Sequence, residues 1–248
     1  MKSFFKRIKN SNPFNIIIAI AGIMLLVSIS VLFGYSISTG GLVVANSKQS
    51  TECYYLIEID SFEKFADASN FATNLQAKGG AGFIKYDENF KVFSSAYQNY
   101  EDAKNVLDKL SEYKNAKIYT FKMASFNNDN GLEDKINKVI KNNIISIKYS
   151  IENLSKILIE LDKNQIDENK FKEKIILIKE EIELQIEKFL DVFYKSSTMY
   201  KYKSYMYEFL NEIEDILKTD LNDHEFSSIC HYKHISLVCI LDKILQTV

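Results

Sequence analysis

Tyr55-Leu56-Ile57-Glu58-Ile59-Asp60-Ser61-Phe62 and, 35 residues later, Phe90-Lys91-Val92-Phe93-Ser94-Ser95-Ala96-Tyr97 are two copies of one pattern. Without a gap, Ile57 falls on Val92, Phe62 on Tyr97, Phe65 on Tyr100 and Ala68 on Ala103. Further along, Phe71 meets Val106, Leu75 meets Leu110, Phe83 meets Ile118 and Tyr86 meets Phe121. Every match keeps its chemical character, so the segment is a duplicated unit. Two copies are too few for a solenoid, and a closed pseudo-symmetric domain follows instead.

Each copy reads strand, helix, strand. Tyr55, Ile57 and Ile59 alternate with Leu56, Glu58 and Asp60, the pattern of a half-buried strand. Ala68, Phe71, Ala72 and Leu75 share one helical face, stopped at Gly79-Gly80. Phe83 to Tyr86 closes the first copy, and Asp87-Glu88-Asn89 turns into the strand Phe90 to Ser95. Asn99 is placed to cap a second helix burying Ala103, Val106, Leu107 and Leu110, with Asp102 at its N3 position. Ile118 to Met123 completes a βαββαβ unit, a four-stranded antiparallel sheet with two helices on one face.

On the C-terminal side the period changes. The only Pro is Pro13 and no Gly follows Gly131, so neither helix breaker interrupts the rest of the chain. Ile136, Ile140, Ile147, Ile151, Leu154, Leu158 and Leu161 recur at helical spacing. After the polar turn Asp162 to Asp167 come Phe171, Ile175, Ile178, Ile182, Ile186, Phe189 and Phe193. Two long helices joined by a short turn should pair antiparallel. A third helix carries Met199, Met206, Phe209, Ile213 and Ile216, and a fourth Phe226, Ile229, Ile235, Val238, Leu241 and Leu245. The four read as a self-contained bundle, or as a stripe awaiting a helical partner or a second copy.

On the N-terminal side, Lys2, Lys6, Arg7 and Lys9 precede a stretch with no charge until Lys48. Phe14 to Ile37 gives about 24 residues, or ~36 Å of helix, enough to cross a bilayer core of ~30 Å. The basic cluster puts the N-terminus in the cytoplasm and the bulk of the chain outside. Val43-Val44-Ala45 offers a cleavage site for the alternative of a removable signal peptide, but the apolar run exceeds a signal h-region of about 7–15 residues. Either way the rest is exported.

Composition excludes several classes. A net charge of −2 lacks the basic field that non-specific nucleic-acid binding needs. Three cysteines make no disulfide scaffold. Cys230 and His234 stand one helical turn apart, but no recognised zinc spacing surrounds them and apolar neighbours make them core residues, so neither metal nor cofactor is expected. Glu180-Glu181 lies in a mixed Lys/Glu helix, a solvated face. No Gly-rich phosphate loop and no nucleophile elbow appear, and no enzyme is expected.

An export anchor followed by Tyr55 to Phe62, a helix and the second strand with its aromatic turn at Phe90 to Tyr97 resembles the SPOR domain of bacterial envelope proteins. The resemblance spans about 70 residues. It implies the duplicated βαββαβ fold, ferredoxin-like in layout, and binding to septal peptidoglycan glycan strands stripped of their stem peptides. Some amidases carry this domain, but the helical tail lacks the dispersed His and Glu ligands of their catalytic unit. Departures from the family pattern fall at Asp60, where a Gly is common, at Glu58 for a Gln, at Phe93 for an Arg, and at Ser95-Ala96 for Gly-Pro. Strand alternation sends Glu58, Lys91, Phe93 and Ser95 away from the two helices, onto an open sheet face. Those four are the candidate glycan-binding residues. Phe93 offers a ring to a pyranose and the others offer hydrogen-bonding groups.

The expected organisation is α+β: a basic cytoplasmic tail at 1–13, a transmembrane helix at 14–37 and a linker at 38–51. A SPOR-like βαββαβ domain at 52–124, a linker at 125–131 and an all-α bundle at 132–248 follow. The expected function is a single-pass, non-catalytic bacterial membrane protein that binds glycan strands and localises its helical module in division or sporulation. The alternative is a membrane-anchored scaffold acting through the tail alone.

Overall fold

The computed structural model describes residues 52–126, 132–219 and 223–248. Strand β1 (Cys53–Phe62) leads into helix α1 (Phe65–Gln76), strand β2 (Phe83–Asp87) and strand β3 (Asn89–Tyr97). Helix α2 (Tyr100–Leu107) and strand β4 (Lys117–Lys122) complete the duplicated unit. All neighbours in the sheet are antiparallel, in the order β2-β3-β1-β4. The two copies thus interleave, each copy's first strand lying in the middle.

Local chemistry sets the boundaries. Asn99 caps α2, its side chain accepting a 2.8 Å hydrogen bond from the Glu101 amide. The α1 C-terminus is stopped at Gly79, whose φ of 89° suits a residue without Cβ. At Gly82 a Cβ would lie 2.6 Å from the Ala72 carbonyl oxygen, so α1 and the start of β2 approach at a distance only Gly allows. Leu110 lies past the end of α2 and packs from the following loop rather than from the helix. Ile57, Ile59, Val92, Tyr97, Ala68, Ala72, Leu75 and Ala103 form the core between the sheet and α1/α2.

The four later helices are α3 (Asp134–Asp162), α4 (Glu168–Leu190), α5 (Ser197–Lys218) and α6 (Asp223–Thr247). Asp167 caps α4 by accepting from the Lys170 amide at 2.7 Å, and Ser196 caps α5 by accepting from the Met199 amide at 3.1 Å. The α3–α4 pair is antiparallel: Asn143 donates to the Gln185 carbonyl, while Lys174 and Glu160 pair near the other end. Among the described residues no helix is long and apolar enough to cross a membrane. The expected span at 14–37 lies outside the described residues.

Helix α6 decides the architecture. Cys230, Ile235, Leu237, Val238, Ile240, Leu241, Ile244 and Leu245 are all buried, a face wider than one stripe, while Lys243 and Gln246 mark the side left to solvent. So broad an apolar face must be covered by more than one neighbour. One flank of α6 packs on α3 and α5, and the other lies across β2 and β3. Tyr54, Leu56, Phe93, Ala96, Phe121 and Met123 of the sheet therefore belong to the same apolar cluster as the helices. Residues Thr51–Val248 form one compact unit with four layers: α1/α2, sheet, α6, and the remaining helices. The bundle is not self-contained, and β1 is buried on both faces rather than one.

Candidate functional site

The four residues expected on an open sheet face take three different fates. Phe93 is 0% exposed, packed edge-on to Tyr119 at 5.5 Å between ring centroids and enclosed in the cluster shared with α6. Glu58, its cross-strand partner, is 1% exposed, with Oε1 held 3.0 Å from Lys117 Nζ and Oε2 buried without a hydrogen-bond partner. Ser95 is buried on the opposite side. The β1–β3 register shifts after the Ile57–Ser95 pair, so Glu58 pairs with Phe93 and Ser94 is skipped. Directly paired residues share a face, and a bulge breaks the simple alternation. Ser95 thereby faces the α1/α2 core with Ile57. Only Lys91 keeps the expected position near solvent, its side chain 18% exposed.

The face is closed because its own residues are apolar. Leu56, Phe93, Phe121 and Met123 would each lose about 1.5–3 kcal/mol of burial, about 6–12 kcal/mol together, if the helices lifted away. That rivals the whole stability of a typical domain, ~5–15 kcal/mol. The contact also has polar latches: Ser228 Oγ donates to the Gly80 carbonyl at 2.7 Å, and the Ala124 amide donates to Asp242 Oδ1 at 2.8 Å. Phe83 and Tyr232 pack ring to ring at 5.1 Å. This half of the sheet is core, not a binding surface that opens and shuts.

At the β2–β3 hairpin end, α6 leaves a polar strip. Lys91 Nζ donates to Asp87 Oδ2 at 2.6 Å, and Tyr119 OH donates to the same oxygen at 2.9 Å. These bonds, that from Lys91 first, hold the Asp87 carboxyl below its usual range. Burial, and then the Asp87 contact, pushes Tyr119 up to about 12, so its hydroxyl keeps its proton and stays a donor. Lys91 also lies 4.7 Å from the Tyr119 ring centre. On the other, α1 face of the same hairpin, Tyr86 (67% exposed) and Phe65 (57%) flank Phe90 at 5.0 and 5.6 Å, which leaves aromatic area in solvent.

Asp87, Tyr119, Tyr86 and Phe65 were not among the sequence candidates. Tyr86 and Phe90 are cross-strand partners on either side of the turn, a pairing the hairpin spacing already implied. Cys230 and His234 are both buried, and His234 lies in the core with one ring nitrogen lacking a partner. His231 instead turns to Asp162, Nε2 to Oδ2 at 2.9 Å, tying α6 to the end of α3. Among the described residues no three His, Cys, Asp or Glu side chains are grouped to hold a metal ion.

The duplicated unit is thus a small antiparallel βαββαβ sandwich with a polar hairpin end. The family model for the SPOR domain matches residues 53–120, the stretch from β1 into β4, and the chain is a SPOR domain-containing protein. SPOR domains are binding rather than catalytic domains, and they bind peptidoglycan in division-related proteins. No curated protein and no solved structure matches the chain.

Proposed function

We propose that this protein is a wall-binding component of the bacterial division or sporulation envelope, anchored by residues 14–37 with its N-terminus in the cytoplasm. The SPOR match carries this reading. The domain contacts glycan strands non-covalently, and the helices riding rigidly on it are delivered to the same place. Membrane confinement raises the effective concentration of wall, so weak contacts suffice. Of the expected site only Lys91 remains at the uncovered end, joined by Asp87, by Tyr119 and by the exposed Lys117 that pairs with the buried Glu58. A stripped glycan presents hydroxyls and lactyl carboxylates, which suits ammonium and phenol donors.

A second reading is favoured by one observation. The apolar half of the sheet face is occupied by α6, so the SPOR unit also serves as a structural platform for the helices. In that reading the protein is a membrane-anchored scaffold, and its exposed helix faces meet a protein partner or a second copy.

Co-sedimentation of the full chain with peptidoglycan sacculi, before and after an amidase removes the stem peptides, separates the two. Binding that rises with stripping and falls in a Lys91→Ala/Lys117→Ala double variant supports the first. Absence of binding to either preparation sinks it in favour of the scaffold.

A further inference from the structure

With most of the sheet face sealed, a concave surface on the domain lies at the opposite end of β1. An open cleft of about 520 Å³ separates the start of β1 from α3. Glu52, Tyr54 and Gln98 form one wall, and Ile145, Lys148, Tyr149 and Glu152 the other. The α3 residues stand at i, i+3, i+4 and i+7, so one helical face is turned to the cleft. We infer that this cleft is a second saccharide-binding site, one that takes N-acetylated hexosamine units of a glycan strand; the inference rests on the wall-binding reading.

The lining has the chemistry for it. Tyr149 is 58% exposed and Ile145 52%, adjacent on one face, which leaves an aromatic ring and an aliphatic neighbour available to the C–H face of a pyranose. Opposite them the Tyr54 hydroxyl accepts a 2.9 Å hydrogen bond from Gln98 Nε2. That bond orients the phenol and leaves its own proton to donate. Burial pushes Tyr54 up to about 12, so the proton stays at any physiological pH. Glu52 and Lys148 meet at 2.5 Å, an ion pair between the residue that precedes β1 and α3. The pair sets a carboxylate acceptor beside an ammonium donor, the combination that reads vicinal hydroxyl and acetamido groups. Glu152 is steadied from its other side by Lys156 at 2.6 Å. Apolar area facing convergent donors and acceptors across a cleft is the ordinary build of a small-molecule site. Neither the SPOR domain nor the helices hold it alone, since each supplies one wall.

The test uses the full chain in detergent, with two probes: a chito-oligosaccharide in calorimetric titration and stripped sacculi in co-sedimentation. Tyr149→Ala and Lys148→Ala change exposed or half-exposed side chains, and circular dichroism checks that both fold. Tyr149→Phe keeps the ring. Expected is loss of at least about tenfold in affinity for both probes in Tyr149→Ala. Tyr149→Phe should retain binding. Sacculus binding that survives both cleft variants unchanged overturns the cleft site and leaves the wall-binding reading intact. Tyr149-dependent oligosaccharide binding without sacculus binding supports the cleft and removes the wall. A parent chain that binds neither probe overturns both.

Discussion

At the scale of single residues, burial reverses what substitution should do. A Phe93 stacking a sugar on an open face would be dispensable for stability. Enclosed between β1, Tyr119 and the α6 layer at 0% exposure, it fills the core instead. Phe93→Ala is expected to cost about 3–5 kcal/mol, measured by urea unfolding followed by circular dichroism. An unchanged midpoint would mean that α6 does not cover it. His234 yields a second expectation. Burial, and then the neighbouring His231, lowers its pKa from 6.5 to about 3, although a bond to the Ile151 backbone works the other way. In the unfolded chain this imidazole takes a proton below 6.5, whereas in the folded chain it resists until about 3. The unfolded state therefore binds more protons within that window, so the contribution is complete above pH 6.5 and is lost as pH falls toward 3. The slope is about 1.4 kcal/mol per pH unit from this one group. Stability at pH 7.5 and pH 5.0 should differ less in His234→Leu than in the parent. Parallel losses would show that His234 is not buried neutral.

At the scale of elements, α6 is the piece on which the others depend. Removing the chain from Asp223 onward takes one wall from the α3/α5 packing and uncovers the apolar face of β2 and β3 around Phe93. An apolar patch of that kind on a sheet drives association. The truncated protein is expected to aggregate on gel filtration, and a monodisperse product would contradict the shared core. A milder probe is Asp242→Ala, which removes the acceptor for the Ala124 amide and should cost about 1–3 kcal/mol. The sequence exposed the elements well but not this docking. The repeat at a shift of 35 laid out βαββαβ, the Asn99 cap was visible, and the helical period found α3 to α6. The covered face was hinted at: Tyr54, Leu56, Phe121 and Met123 are too apolar for a solvated surface. Strands buried on both faces lose alternation. Reading α6 as one stripe left Leu237, Ile240 and Ile244 unexplained, and these residues widen its buried face enough to meet a second neighbour. The displacement of Ser95 is another matter. A bulge is set by local twist and pairing register, and period-two reasoning along a single strand carries no signal for it.

At the scale of the molecule, the SPOR unit and the helices share so much apolar surface that neither should have a stability of its own. Chains built from independent domains melt in separate steps, and their slowest-exchanging amides report separate free energies. Here the central strands and α6 belong to one cluster, so opening one exposes the other. The protein is expected to unfold in one cooperative transition, with β3 and α6 amides exchanging at a common, global free energy. Hydrogen exchange read by mass spectrometry resolves the two elements directly. A β3 that exchanges with the helices still protected, or the reverse, would show two domains in loose contact and free the sheet face for ligand. Coincident exchange would fix the geometry on which the functional reading depends. Whatever the SPOR unit grips would then be held in a constant orientation to α3 and α4, whose exposed Leu177 and Leu184 are carried with it. Wall contact at one end would thereby position a helical surface at the other without any hinge between them.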